Sequence, residues 1–127
     1  MLDTHAWLWW LADPDRLSSL ARETIAEAPT IGVSTVSVWE LATLVRRGRI
    51  TLDRDVRDWV MRALSEERVE AIAPGVDIAI AAARLDGRAF PGDPADRFIF
   101  ATARALEGQL ITRDERMRAF APEGTIW

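Results

Sequence analysis

The sequence predicts an α/β domain built on a mainly parallel sheet, and three observations lead there. Short apolar runs alternate with helical segments from end to end, the pattern of strand–helix–strand units. The chain of 127 residues has the size of one domain, 1–127, with one sizeable core. Apolar residues make up 49% and charged residues 28%, too apolar a balance for disorder. No apolar run reaches the roughly 18 residues of a membrane span, and the opening stretch carries Asp3 and no basic leader. A cytoplasmic protein is expected.

Residues 1–3 form a very short first strand. Residues 4–11 then read as a helix stopped at Asp13-Pro14. Residues 17–28 are helical, with Leu17, Leu20, Ala21, Ile25 and Ala28 near helical spacing. A β-type run at 30–33 precedes a helix at 35–47, which Gly48 ends. The next helix, 55–67, places Val56, Trp59, Val60, Ala63 and Leu64 on one face. A strand at 69–73 ends at Pro74, and an alanine-rich helix covers 77–85. After a loop at 87–92 come a strong helix at 94–106 closed by Gly108, a strand at 109–112, a short helix at 115–120 and a last short strand at 124–127.

Composition removes several chemistries. All 16 basic residues are Arg. Without Lys there is no P-loop, Schiff base or pyridoxal site. Without Cys there is no disulfide, thiol nucleophile or thiolate zinc site. The single histidine, His5, cannot build a multi-histidine metal site. Carboxylates, hydroxyls and Arg remain. The net charge of −4 and pI of about 5.0 argue against a broadly basic nucleic-acid surface. Clustered carboxylates that hold cations lower the pI too, however, and Arg can supply a local phosphate-binding rim.

Four acids fall just after an expected strand or early in a helix. These are Asp3, Glu40, Asp96 and Asp114. Open parallel sheets bind ligands outside the carboxyl ends of their strands, so neighbouring strands would bring the four together. Like charges in one pocket raise each other's pKa, and a hard cation such as Mg²⁺ or Mn²⁺ resolves the conflict through oxygen ligands.

Each acid also has a structural reading. Asp93-Pro94 fits an N-cap followed by Pro at N1, with Asp96 at N3. Ser37-x-x-Glu40 and Thr112-x-x-Glu115 fit capping boxes. Asp3 needs a partner at the end of an apolar strand. Singly, a structural role suffices for each; jointly, four acids at matching topological positions favour a site.

The segments LDTHAWLWWL, SVWELA, GDPADRFIFATA and LITRDERM stand in the order and spacing of the VapC-like PIN domains, which the chain resembles over essentially its whole length. The resemblance implies a three-layer α/β/α sandwich. It also implies a metal-dependent endoribonuclease, the toxin of a type II toxin–antitoxin pair. Asp3, Glu40, Asp96 and Asp114 would be the catalytic, metal-binding acids, holding Mg²⁺ or Mn²⁺. Asp93, Thr112 and Thr4 would support them, with Thr112 orienting Asp114. Arg97 and Arg113 flank site acids; contact with RNA phosphates and ion pairing with those acids are both open. The expected reaction is hydrolysis of RNA, with tRNA or rRNA as candidates, by water, leaving a 5′-phosphate and a 3′-hydroxyl. The expected partners are a cognate antitoxin that covers or enters the acidic site and a second copy in a homodimer.

The sequence departs from the family in two places. Only Met1 and Leu2 precede Asp3, which shortens the first strand and puts the α-amino group near the site. Gly92 stands where relatives often carry a basic residue or His ahead of Asp-Pro. Rival readings are a receiver or haloacid-dehalogenase-like phosphatase, which normally need the missing Lys, a catalytically inactive binding module of the same fold, and a DNA-directed nuclease. His5 is first a packed or capping residue. Of the six Trp, Trp39 and Trp59 fall on expected core faces, whereas Trp7, Trp9 and Trp10 surround one helix, where exposed aromatics would serve protein contact.

Overall fold

A computed structural model of the chain describes residues 1–85, 90 and 93–127. The elements run α1 (Thr4–Ala12), a 3₁₀ turn (Pro14–Arg16), α2 (Ser19–Glu27), β1 (Ile31–Ser34), α3 (Thr35–Arg46), α4 (Val56–Leu64), β2 (Val69–Ile72), α5 (Val76–Arg84), α6 (Pro94–Ala105), β3 (Leu110–Ile111), α7 (Glu115–Phe120) and β4 (Thr125–Ile126). The expected loop at 87–92, and with it Gly92, lies outside the described residues apart from Phe90. Among the described residues no helix is long and apolar enough to cross a membrane.

The sheet is parallel and centred on one residue. β1 pairs with β2, β3 pairs with β4, and Leu2 bridges β1 and β3 through Val33 and Ile111. The expected strand at 1–3 is thus a single bridging position. The Leu2 N–H donates to the Gly32 carbonyl (3.0 Å), the Asp3 N–H to Ile111 (3.1 Å), and the Ile111 N–H to Met1 (2.8 Å). Counting Leu2 as the first strand, the spatial order is third, second, first, fourth, fifth. The winding therefore changes direction between Leu2 and β3, and the crevice beyond their carboxyl ends is a topological switch point. Gly32 serves close approach beside this strand: a Cβ there would lie 2.8 Å from Ile72 Cδ1.

Side-chain alternation divides the core between the two sheet faces. Leu2, Ile31, Val33 and Ile111 join Trp7, Ala21, Ile25, Leu41 and Val60. Their neighbours Met1 and Leu110 point the other way, to Ile99, Phe100, Ala103 and Met117. One face is covered from α1, α2 and α4 and the other from α6 and α7, which gives the helix–sheet–helix layering.

Three local expectations are corrected. The N-cap of α3 is Ser34, whose hydroxyl accepts from the Val36 N–H at 3.2 Å, because the helix starts directly at the strand end. Ser37 consequently falls inside the helix, buried with Oγ unpartnered, and forms no capping box with Glu40. The N-cap of α7 is Asp114 rather than Thr112. Trp39 is 62% exposed. Leu41 fixes the core face of α3, and a residue two positions away lies roughly 200° around the helix. Trp59 does pack inward, edge-on to buried Trp7 at 5.3 Å between centroids.

Candidate active site

Each of the four acids is placed by an element that starts at the carboxyl end of the sheet. Asp3 follows the Leu2 bridge, caps α1 by accepting the Ala6 N–H through Oδ1 at 2.6 Å, and is buried. Glu40 lies in the second turn of α3, where the buried Thr4 hydroxyl donates to its Oε2 at 2.5 Å. Thr4 thus holds Glu40, joining the first and second strand ends. Asp93 and Asp96 form a reciprocal capping box at the start of α6. The Asp96 N–H donates to Asp93 Oδ1 (3.1 Å) and the Asp93 N–H to Asp96 Oδ2 (3.0 Å). Asp114 caps α7 by accepting the Arg116 and Met117 N–H groups through Oδ1 at 2.8 and 3.1 Å.

Thr112 links two of these acids. Its buried hydroxyl accepts the Asp114 N–H at 3.1 Å and stands beside the Asp3 carboxylate, whose charged form it favours. It stands at the end of β3, one place past the residue that pairs with Leu2.

Asp3, Glu40, Asp93, Asp96 and Asp114 line one open cleft of about 610 Å³. Ion pairs among the described residues are Arg22–Asp15 at 3.9 Å and Arg54–Asp53 at 2.6 Å, and neither involves a cleft acid. Burial pushes the Asp96 carboxyl up to about 7, and the charges of Asp93, Glu40 and Asp114 push the same way against a backbone hydrogen bond at Asp93. Burial also raises Asp3, opposed by the Ala6 N–H and the Thr112 hydroxyl. The cleft therefore holds negative charge in excess of its compensation, a condition that a cation relieves.

The donor chemistry fits a hard divalent ion, since the cleft offers carboxylates and the chain has no thiol. The rotamers are set by capping: among the described residues no three acids or histidines enclose a common point closely enough to hold an ion as they stand. The caps of Asp3, Asp93 and Asp114 each engage Oδ1.

The two flanking arginines separate. Arg113 lines the cleft. Arg97 turns from it, with Nη1 donating to the Leu85 carbonyl at 3.4 Å and Nε buried without a partner. The α-amino group of Met1 donates to the Gln109 carbonyl at 2.7 Å, at the amino end of β3 and away from the acids. His5, Trp9 and Arg16 also line the cleft. Sequence reasoning missed Arg16. Its only signals were the Pro14 turn that follows α1 and the helical i, i+4 spacing of His5 and Trp9.

The sequence pattern of the PIN domain matches residues 1–122. Ribonuclease VapC22 of Mycobacterium tuberculosis (strain ATCC 25618 / H37Rv) is 40% identical over 119 residues, 94% of this chain and 89% of that protein. Among solved structures, a toxin–antitoxin complex from Klebsiella pneumoniae aligns with a TM-score of 0.68 at 19% identity, over 99% of this chain and 94% of the other. The structure of FitAB bound to an IR36 DNA fragment aligns at 0.63 and 16% identity, over 98% and 92%. At those identities the structural likeness is one of fold.

Proposed function

The chain belongs to the PIN-domain family, and on that premise we propose that it is a divalent-metal-dependent endoribonuclease, the toxin of a toxin–antitoxin pair. The observation that carries the reading is the gathering of four acids from four separate elements at the switch point of a parallel sheet, with no basic partner among the described residues. The relative named as a ribonuclease at 40% identity favours RNA as the substrate. The solved toxin–antitoxin complex of like fold favours an antitoxin as the partner. We place the activity in the cytoplasm, where tRNA and rRNA are available as substrates.

Asp3, Glu40, Asp96 and Asp114 would hold Mg²⁺ or Mn²⁺, which when bound supplies Lewis acidity toward a phosphodiester and toward water at neutral pH. The chain's own residues prepare that site. Thr4 fixes Glu40, and Thr112 joins Asp3 to the backbone of Asp114. The capping box sets Asp96 at N3 of α6. Such hydroxyl and amide partners orient carboxylates before a ligand arrives. Asp96, whose carboxyl burial pushes up to about 7, would have to give up its proton to serve as a ligand.

The test is cleavage of a mixed tRNA and rRNA pool by the purified protein in Mg²⁺ or Mn²⁺, in EDTA, and by folded Asp96→Asn protein. Cleavage that requires the metal and disappears in the variant is expected. Cleavage that persists in EDTA, or is unchanged in Asp96→Asn, would overturn the assignment.

A further inference from the structure

The acidic cleft has a basic and aromatic part that its capping chemistry does not use. Trp9 on α1 is buried, yet its ring borders the cleft. The Arg16 guanidinium carbon lies over that ring at 4.4 Å from its centroid, and that of Arg113 at 5.8 Å. The ring is itself braced, against Trp127 at 5.8 Å and His5 at 5.6 Å. Two cations from distant parts of the sequence therefore meet on one fixed aromatic platform beside the acids.

What these arginines leave undone is informative. Both line a cleft containing six acids, Glu115 among them, yet among the described residues neither pairs with any of them. A guanidinium lying over an indole presents its face to the ring, and its N–H donors point outward in its own plane, still available to a bidentate oxyanion. The backbone of Arg16 is held as well. The 3₁₀ turn fixes it through the Arg16 N–H to the Asp13 carbonyl (3.1 Å), and buried Leu17 anchors the next position. Arg16 also lines an adjoining hollow of about 590 Å³, where Arg49 stands with Asp13 and Asp53.

Resting on the nuclease reading above, we infer that Arg16, stacked on Trp9 and aided by Arg113, binds a backbone phosphate of the RNA strand next to the one held at the carboxylates. This site recognises the phosphodiester backbone and not the base, and it supplies locally the positive charge that the acidic chain lacks overall.

The probe is a fluorescein-labelled single-stranded RNA of about 12 nucleotides. Its binding is read by anisotropy in Ca²⁺, with strand integrity checked on a gel. Arg16→Ala should weaken binding about tenfold and lower the slope of log affinity against log salt by about 0.7, the share of one phosphate contact. Arg16→Lys, which keeps the charge and loses the fork, should fall between. Arg104→Ala on α6 makes the same change in net charge away from the cleft and should alter affinity less than about twofold. Mn²⁺ binding by calorimetry should be equal in wild type and Arg16→Ala, which separates phosphate binding from damage to the metal site. Wild-type affinity in Arg16→Ala, or equal losses in Arg16→Ala and Arg104→Ala, would overturn the inference while leaving the nuclease reading intact. A wild-type protein that neither binds nor cleaves RNA would overturn both.

Discussion

Asp53 and Asp96 are the same residue type under opposite conditions. Asp53 sits on the surface, paired through both oxygens with Arg54 at 3.0 and 2.6 Å, and the guanidinium holds its carboxyl below the ordinary range. Asp96 is half-buried among Asp93, Glu40 and Asp114 and is pushed up to about 7. The chain has 16 arginines, one of which compensates an exposed Asp53 that solvent would screen anyway. Among the described residues, the costly charges at the sheet's carboxyl end form no ion pair with one. On the reading proposed above, such charge is what a bound cation would relieve, and the difference between the two aspartates supports that reading more than either acid alone.

The largest effect should come from breaking the cleft side of that contrast. Asp96→Asn retains a side-chain oxygen for the Asp93 N–H but loses a ligand charge. Ribonuclease activity should fall by about 10²–10³-fold, as expected when several kcal/mol of metal-derived stabilisation are removed. In EDTA at pH 8 the same variant should melt above wild type, because the uncompensated carboxylate is gone. Next, Thr4→Val removes the hydroxyl that holds Glu40. A loss of about 10- to 100-fold in metal affinity or activity is expected, read by calorimetry and RNA cleavage.

A smaller effect is thermal. The unfolded value of Asp96 is near 3.8 and the folded one about 7, so between those pH values the folded protein keeps a proton that the unfolded chain has released. Stability from this group is complete below the lower value and is lost as pH rises through the upper, and Asp3 acts in the same direction. In EDTA the melting temperature should be higher at pH 5.5 than at pH 8 by a few degrees, on the order of 3–6 °C. Asp96→Asn should shrink the gap. The smallest effect belongs to the surface pair: Asp53→Asn should leave the melting temperature and the activity unchanged, because solvent screens the pair.

The sheet's parallel character and most helices were legible because their apolar periods are local. Asp93, Pro94 and Asp96 declared a helix start through a fixed spacing that the fold kept. Legibility failed where a tertiary neighbour decides. Residues 1–3 shrank to a single bridge because only Leu2 lies between two partners, and no local pattern states that. Trp39 was expected on a core face, but the position of Leu41 turns it outward. The hold of Thr4 on Glu40 spans 36 positions, and the meeting of Arg16 and Arg113 on Trp9 requires the sheet to be assembled. Arg97 and Arg113 looked equivalent beside their acids; helix geometry sends one to the Leu85 carbonyl and the other to the cleft.

The most direct measurement of the central claim is a Mn²⁺ titration followed by thermal unfolding, at pH 5.5 and pH 8, in wild type and Asp96→Asn. An unpaired acidic cleft predicts a saturable rise in melting temperature that is larger at pH 8, where no proton competes for Asp96, and is lost or greatly reduced in the variant. No rise at either pH, or an equal rise in wild type and variant, would contradict it.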